Sequence, residues 1–286
     1  MNPISIITDN TVQFPQPSFP GRNLVRVIPL TVELNGKQLE QMDEVKPNSL
    51  PSYANQTIRP QLKAPSPQYF AQLFSELNLI CHETLCIFLS SELNDCFSNA
   101  TEAAHTQRGN ATHIIDAQTT SIGLGILVQA AAEAASRGLS TIEIDKLVRS
   151  LIPRIYAVFS IPGLSYLHYN GFVDRAQAFI CEMLGLYTIF SLEDGNLSSV
   201  EKVRNQRHVL DYFQEFIDEY DCLQHVALLQ SAPANSQDAH LIREHIQQCF
   251  PRSPFTAHPI NLPLATLFGP HTLGLFVIEG ENFKQR

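Results

Sequence analysis

The chain has 286 residues, 44% hydrophobic and 16% charged, a balance that excludes a disordered chain and suits two packed domains. Its net charge of −9 repels phosphate backbones and anionic lipid surfaces, so no nucleic acid is expected as a partner. No apolar run approaches the ~20 residues that span a bilayer, and the opening MNPISIITDN lacks a signal-peptide pattern; a cytoplasmic location without integral membrane association is expected.

Residues 4–8 are a short β-branched run ending in the polar cluster Asp9-Asn10-Thr11, which predicts a buried first strand and a loop. Residues 24–34 alternate, and Asn35-Gly36 after them is a type I′ turn signal. Residues 43–68 are polar and carry prolines at 47, 51, 60 and 65, so a long loop or flap is expected there. Apolar residues at 69, 70, 73, 74, 77 and 80 trace a helical stripe. Strand-then-helix units follow: a strand over 84–89, a turn at Ser90-Ser91, a helix over 93–105, a strand over 112–115 and a helix over 120–137. Ser140 is the expected N-cap of a helix over 141–152, with Glu143 at the capping-box position and Pro153 ending it. Such alternation predicts a parallel sheet covered by helices.

Beyond Pro153 the pattern changes. Strands are expected over 156–160, 226–230 and 275–278, helices over 174–184, 206–219 and 238–250, and a hairpin over 187–203 that turns at Asp194-Gly195. The fold class is therefore α/β in two domains: a parallel-sheet α/β domain over 1–153 and an α+β domain over 154–286.

Motifs that would mark catalysis are scarce. There is no GxxxxGK[ST] and no GxSxG. Gly123-Leu124-Gly125 lacks the third glycine of a dinucleotide fingerprint, since Val128 stands there, and close helix packing explains the pair. His240 and His245 are five apart, which turns them away from a shared helix face, so His240, Glu244 and His245 read as a solvated surface. The six cysteines form no CxxC pair, which predicts reduced thiols. No catalytic residue, cofactor or metal site is expected. One feature points to a ligand. A strand running into Ser90-Ser91 and a helix brings two hydroxyls and backbone N–H groups to the C-terminal edge of the sheet, where open α/β sheets bind ligands. A plain serine N-cap gives the same pattern.

The whole chain resembles the DegV family of bacterial fatty-acid-binding proteins. The resemblance is carried in order by Thr8-Asp9-Asn10-Thr11 (the family's TDST), Ile28-Pro29-Leu30-Thr31-Val32 (VPLTV) and Pro65-Ser66-Pro67 (QPSPGEF). It continues through Leu89-Ser90-Ser91-Glu92-Leu93 (ISSxLSGTY), Ile115-Asp116 with Gly123-Leu124-Gly125, and Leu192-Glu193-Asp194-Gly195 with Glu201-Lys202-Val203-Arg204 (LEDG and EKVR). Gly269-Pro270 and Leu273-Gly274-Leu275-Phe276 complete it. The resemblance implies two α/β domains with a long apolar tunnel between them. A long-chain fatty acid or related acyl lipid would be held there without chemistry and presented to a dihydroxyacetone-kinase-like fatty acid kinase.

At the carboxylate end the sequence departs from the family. The family's threonine position falls on Leu62 and its histidine position on Leu267, while Asn94-Asp95 replaces Ser-Gly and Phe172 an arginine. The head-group set is then Ser90 and Ser91, with Asn94 as a substitute donor and His271 either supplying an imidazole from a shifted loop or standing merely as a loop histidine beside Pro270. Hydrogen bonds to a charged group contribute roughly 1.5–3 kcal/mol each, so losing two favours a neutral or weakly polar head. Each buried methylene still contributes about 0.8 kcal/mol. Arg204, the EKVR arginine, is the expected partner-docking residue or else a solvated charge at a helix start. The competing readings are a diverged scaffold or regulatory protein that has lost carboxylate binding, and an enzyme with a site around Ser90, Ser91, Asp95 and His271.

Overall fold

The computed structural model describes residues 4–38, 45–81, 83–106 and 111–280. Residues 43 and 44 of the expected loop lie outside the described residues. The chain divides into two compact units. One takes the chain up to Thr31, then Lys63–Pro153 and the hairpin tip Asp194–Asn196; the other takes Val32–Leu62, Arg154–Glu193 and the chain from Leu197 onward.

The first unit is built on a four-stranded sheet of Ile4–Asp9 (β1), Val25–Ile28 (β2), Glu83–Phe88 (β6) and Ala111–Asp116 (β7), in the order β2-β1-β6-β7. All three pairings are parallel. Thr84 through Phe88 are all buried, the continuous run expected of a strand covered on both faces. Pro67–Leu77 (α1) and Cys96–Thr106 (α2) pack on each other, as do Ser121–Ser136 (α3) and Thr141–Leu151 (α4). α1 starts at Pro67 because Ser66 caps it and proline suits the first helical turn. Its Phe70 ring meets Phe88 of β6 at 5.6 Å. α4 has the expected capping box: Ser140 accepts from the Glu143 N–H, and Glu143 accepts from the Ser140 N–H. A Cβ at Gly125 of α3 would stand 2.0 Å from the Gln13 carbonyl oxygen, so helix packing accounts for Gly123-Leu124-Gly125.

Two expectations here are corrected. The alternating run over 24–34 is not one strand. It breaks at Pro29, which has no N–H to donate, and the next N–H, that of Leu30, is taken by the Asn10 side chain at 2.9 Å. β2 therefore joins the parallel sheet, while Thr31–Leu34 (β3) pairs elsewhere. The helix expected over 93–105 begins only at Cys96, because the N–H groups of Glu92, Leu93 and Asn94 turn back onto Ser90.

In the second unit, β3, Lys37–Gln38 (β4) and Pro60–Lys63 (β5) form a small sheet in the order β4-β3-β5. Asn35 and Gly36 both have positive φ, as a type I′ turn requires. β5 lies within the span expected to be loop, and Ser165 and Tyr166 pin the preceding segment. The Ala54 N–H donates to Ser165 Oγ at 2.9 Å, and the Tyr166 hydroxyl donates to the Pro51 carbonyl at 2.6 Å. Ser165–Tyr169 (α5) and Arg175–Met183 (α6) follow Ile155–Pro162 (β8).

The main sheet has the order β10-β9-β8-β13-β11-β12, with Tyr187–Glu193 (β9), Asn196–Val203 (β10), Leu223–Gln230 (β11), Phe255–Pro259 (β12) and Leu273–Glu279 (β13). β8, β9, β11 and β13 pair antiparallel, while β11 and β12 run parallel. Gln206–Asp218 (α7) and Ser236–Cys249 (α8) share one core with this sheet, to which α7 gives Val209, Leu210, Phe213 and Ile217. β12, α5 and the fully buried Leu262–Phe268 (α9) left no periodic pattern in the sequence, since each is short. Among the described residues no helix is long and apolar enough to cross a membrane.

The β11–β12 pair carries a pH-sensitive contact. His225 Nε2 stands 3.0 Å from Thr256 Oγ1. Burial, and to a lesser degree His258, pushes the His225 imidazole down to about 4; burial also lowers His258. A histidine depressed in the folded state binds protons better when unfolded, so its contribution is complete above pH ~6.5 and lost as pH falls toward about 4. His225→Asn is expected to flatten the loss of stability across that window by up to about 3 kcal/mol. Urea unfolding at stepped pH measures it, and parallel curves for wild type and variant would refute it.

Candidate functional site

The strand order places the reversal point of the parallel sheet between β1 and β6, because the chain builds outward from β1 first to β2 and then, on its other side, to β6 and β7. Loops leaving the carboxyl ends of the strands part at such a point and open a ligand crevice. Asp9 ends β1, and Leu89-Ser90-Ser91 follows β6.

Asp9 holds this edge together. Its carboxylate accepts from the Leu89 N–H at 2.8 Å, from the Thr11 N–H at 2.9 Å and from the Thr11 hydroxyl at 2.5 Å. Burial pushes the Asp9 carboxyl up from its ordinary value, and these hydrogen bonds oppose the shift. The two serines are held differently. Ser90 is fully buried; its hydroxyl donates to the Gly195 carbonyl at 2.7 Å, and its N–H donates to the Thr119 carbonyl at 2.9 Å. Gly195 has φ +83°, and a Cβ there would come within 2.6 Å of Ser90 Oγ, so only glycine allows this approach. Ser91 engages Asp116: its hydroxyl donates to Oδ2 at 2.5 Å and its N–H to Oδ1 at 3.3 Å.

The N–H groups around the turn are also taken. Glu92 N–H donates to Ser90 Oγ, the N–H groups of Leu93 and Asn94 donate to the Ser90 carbonyl, and Cys96 N–H donates to Asn94 Oδ1. The expected cluster of unpaired N–H groups at the serines is thus corrected. α2 starts too late to present its N-terminus there, and the turn closes on itself.

Hydroxyls that the sequence reading passed over lie at the same edge. Among the described residues, the buried side-chain oxygens of Thr8, Thr119 and Thr120 have no hydrogen-bond partner in the protein. Thr120 occupies the N-cap position of α3 without making the cap bond. The loop that carries them holds Gln118 and Ser121 at positive φ, +51° and +54°, conformations costly for non-glycine residues and concentrated at functional sites. The available signal was the run Thr119-Thr120-Ser121 directly after a strand, three hydroxyl residues where one suffices as a cap. A surface cavity of about 460 Å³ opens at the opposite edge of this sheet, lined by Ile4, Leu24, Glu83 and Leu139 among others, and contains none of these hydroxyls.

The other sequence-derived positions lie in the second unit. His271 Nε2 stands 3.0 Å from Ser52 Oγ. Leu62 on β5 and Leu267 on α9 are both buried. Asn170 ties them together: its Oδ1 accepts from the Leu62 N–H at 3.4 Å, while its Nδ2 donates to the carbonyls of Tyr166 and Thr266 at 3.0 Å and of Leu267 at 3.5 Å. An apolar arrangement thus occupies the two positions on which the family's threonine and histidine fall. Arg204 is exposed between β10 and the Asn205 cap of α7.

Because Asp9 satisfies three donors while fully buried, Asp9→Ala removes the acceptor of the Leu89 N–H and two hydrogen bonds of Thr11 and is expected to cost about 2–4 kcal/mol. Asp9→Asn keeps one acceptor oxygen without burying a charge and should cost less. Chemical denaturation of the three proteins tests this; a shift below about 0.5 kcal/mol for Asp9→Ala would show that the edge does not depend on it.

Residues 3–280 match the model of the DegV family of uncharacterised proteins. Similar curated proteins are DegV domain-containing proteins of Caldanaerobacter subterraneus subsp. tengcongensis, 29% identical over 75% of this chain and 78% of that protein, and of Listeria monocytogenes, 29% identical over 83% and 86%. In fold, the chain resembles a fatty-acid-binding DegV family protein from Thermus thermophilus over 98% of its length and 100% of that chain, with TM-score 0.81 and 24% identity. A Eubacterium eligens DegV family protein loaded with heptadecanoic acid has TM-score 0.79 and 16% identity, covering 97% and 100%. The Streptococcus pneumoniae Fatty Acid Kinase (Fak) B3 protein loaded with linoleic acid also has TM-score 0.79, at 15% identity, covering 98% and 100%. With a family match running almost end to end over a parallel-sheet unit and a mixed-sheet unit, this chain belongs to the DegV family.

Proposed function

We propose that the protein is a non-enzymatic lipid carrier that holds a long-chain fatty acid or related acyl lipid in the cytoplasm and presents it to a partner kinase. The observation that carries this reading is the hydroxyl-rich edge at the β1–β6 reversal point, in a fold whose solved relatives include proteins loaded with heptadecanoic and linoleic acids. The proposed head-group residues are Ser90, Ser91, Asn94 and His271, joined by Thr119 and Thr120, whose hydroxyls have protons to donate. Both serine hydroxyls donate to groups of the protein, so they can receive a hydrogen bond more readily than give one. That polarity suits a protonated carboxyl or an alcohol head, which has a proton to donate, better than a carboxylate or an ester, which only accepts. The acyl chain supplies the driving force, at about 0.8 kcal/mol per buried methylene.

The buried, Asn170-tied Leu62 and Leu267 support a second reading, a scaffold or regulatory protein that no longer binds fatty acid carboxylates. Native mass spectrometry separates the two. A co-purified or added acyl lipid bound one to one is expected for the carrier; a chain that stays ligand-free with long-chain fatty acids, alcohols and monoesters alike would favour the scaffold. Ser91→Ala and Thr119→Val are each expected to weaken lipid binding about tenfold, the equivalent of one lost hydrogen bond; unchanged affinity in both would remove this edge as the anchor.

Arg204 is the proposed docking residue for a dihydroxyacetone-kinase-like fatty acid kinase. An exposed guanidinium can make a bidentate pair with a carboxylate on a partner. The Fatty Acid Kinase component among the structural relatives is consistent with such a partner. Arg204→Ala is expected to reduce kinase capture about tenfold, and equal capture of wild type and variant would take Arg204 out of the interface.

A further inference from the structure

The C-terminal ends of α7 and α8 bring together three metal-ligating side chains that the lipid reading does not use. Asp218 is the last residue of α7 and Cys249 the last residue of α8. His245 lies four residues before Cys249, the spacing that puts two side chains on one helix face. One ligand atom from each of the three lies within 4.8 Å of the others. His245 Nε2 is 2.8 Å from Asp218 Oδ1 and 3.9 Å from Cys249 Sγ. A tetrahedral zinc ion with bonds of about 2.0–2.3 Å separates its ligand atoms by roughly 3.3–3.7 Å, so side-chain shifts of about 0.5–1.5 Å convert this cluster into three corners of a tetrahedron.

The surroundings favour a cation. Two helices end side by side here, and the negative ends of their dipoles point at the cluster. His245 is the most enclosed of the three, its side chain 18% exposed against 49% for Asp218. α7 and α8 rest on a common core, which fixes the distance between the ligands. A cation bound here would take the cysteine as thiolate and displace its proton to solvent. By contrast, His240 pairs with Glu244 at 3.3 Å, with both side chains largely exposed.

We propose that Asp218, His245 and Cys249 form a binding site for a first-row d-block divalent ion, zinc foremost, with water completing the tetrahedron and the metal tying the ends of α7 and α8 together. Sulfur and imidazole donors select zinc, and its stand-in cobalt, over magnesium or calcium.

Titrating the full-length reduced protein with cobalt(II) tests this. Wild type is expected to bind one equivalent with a thiolate-to-cobalt charge-transfer band, which zinc abolishes by displacement, and zinc should raise the melting temperature. Cys249→Ser should lose the band, and both Cys249→Ser and His245→Gln should bind zinc at least about tenfold more weakly. His240→Gln should behave as wild type. Cys249 is exposed, so its variant is expected to fold even if His245→Gln does not. Absence of the charge-transfer band in wild type, or zinc affinity unchanged in Cys249→Ser, would overturn the proposal and leave His245–Asp218 as a simple helix-to-helix hydrogen bond.

Discussion

A buried, hydrogen-bonded carboxylate organises the carboxyl edge of the parallel-sheet unit. Asp9 ends β1, and through the Leu89 N–H it holds the start of the segment that carries Ser90 and Ser91. Burying a charge is costly unless it is fully hydrogen-bonded. Here burial dominates the carboxyl's behaviour, and Thr11 and Leu89 only partly offset it. The sheet thus keeps an unfavourable group at the one place where its topology reverses. Such a cost is tolerated where position matters more than stability, as it does at a ligand-binding edge.

The same edge shows how one polar set can serve two purposes. Ser90 and Ser91 give their protons to Gly195 and Asp116, which shapes the turn, while the buried Thr8, Thr119 and Thr120 hydroxyls have no hydrogen-bond partner among the described residues. Buried polar groups in folded proteins are nearly always satisfied, so a group of exceptions at a sheet's carboxyl edge is an argument for a ligand there. In the second unit the logic is reversed. Leu62 and Leu267 stand where the family has a threonine and a histidine, and the carboxamide of Asn170 hydrogen-bonds the backbone around them. Polarity is thus concentrated at the sheet edge, while the Leu62 and Leu267 positions are apolar.

Much of the fold was legible in the sequence because its elements carry strong local signals. The buried runs of β1 and β6, the stripe of α7, the Ser140–Glu143 capping box and the Asn35-Gly36 turn each follow from residues within a few positions of one another. What was misread depends on distant partners. The break after Ile28 is stabilised by Asn10, twenty residues away, and β5 is a strand because β3 stands beside it. The delayed start of α2 comes from side chains of Ser90 and Asn94 competing for its first N–H groups.

By itself the sequence determined the alternation of strands and helices, the change of pattern near Pro153, the family resemblance and the serine turn, since all of these are written in neighbouring residues or in ordered motifs. Only the tertiary structure decided which hydroxyls are spent and which remain, that Asn170 joins Leu62 to Leu267, and that Asp218 meets His245 and Cys249. Hydrogen-bond satisfaction and ligand geometry depend on atoms tens to more than a hundred residues apart in the chain. No local period or spacing encodes such distances; they are fixed when the sheets and their covering helices pack.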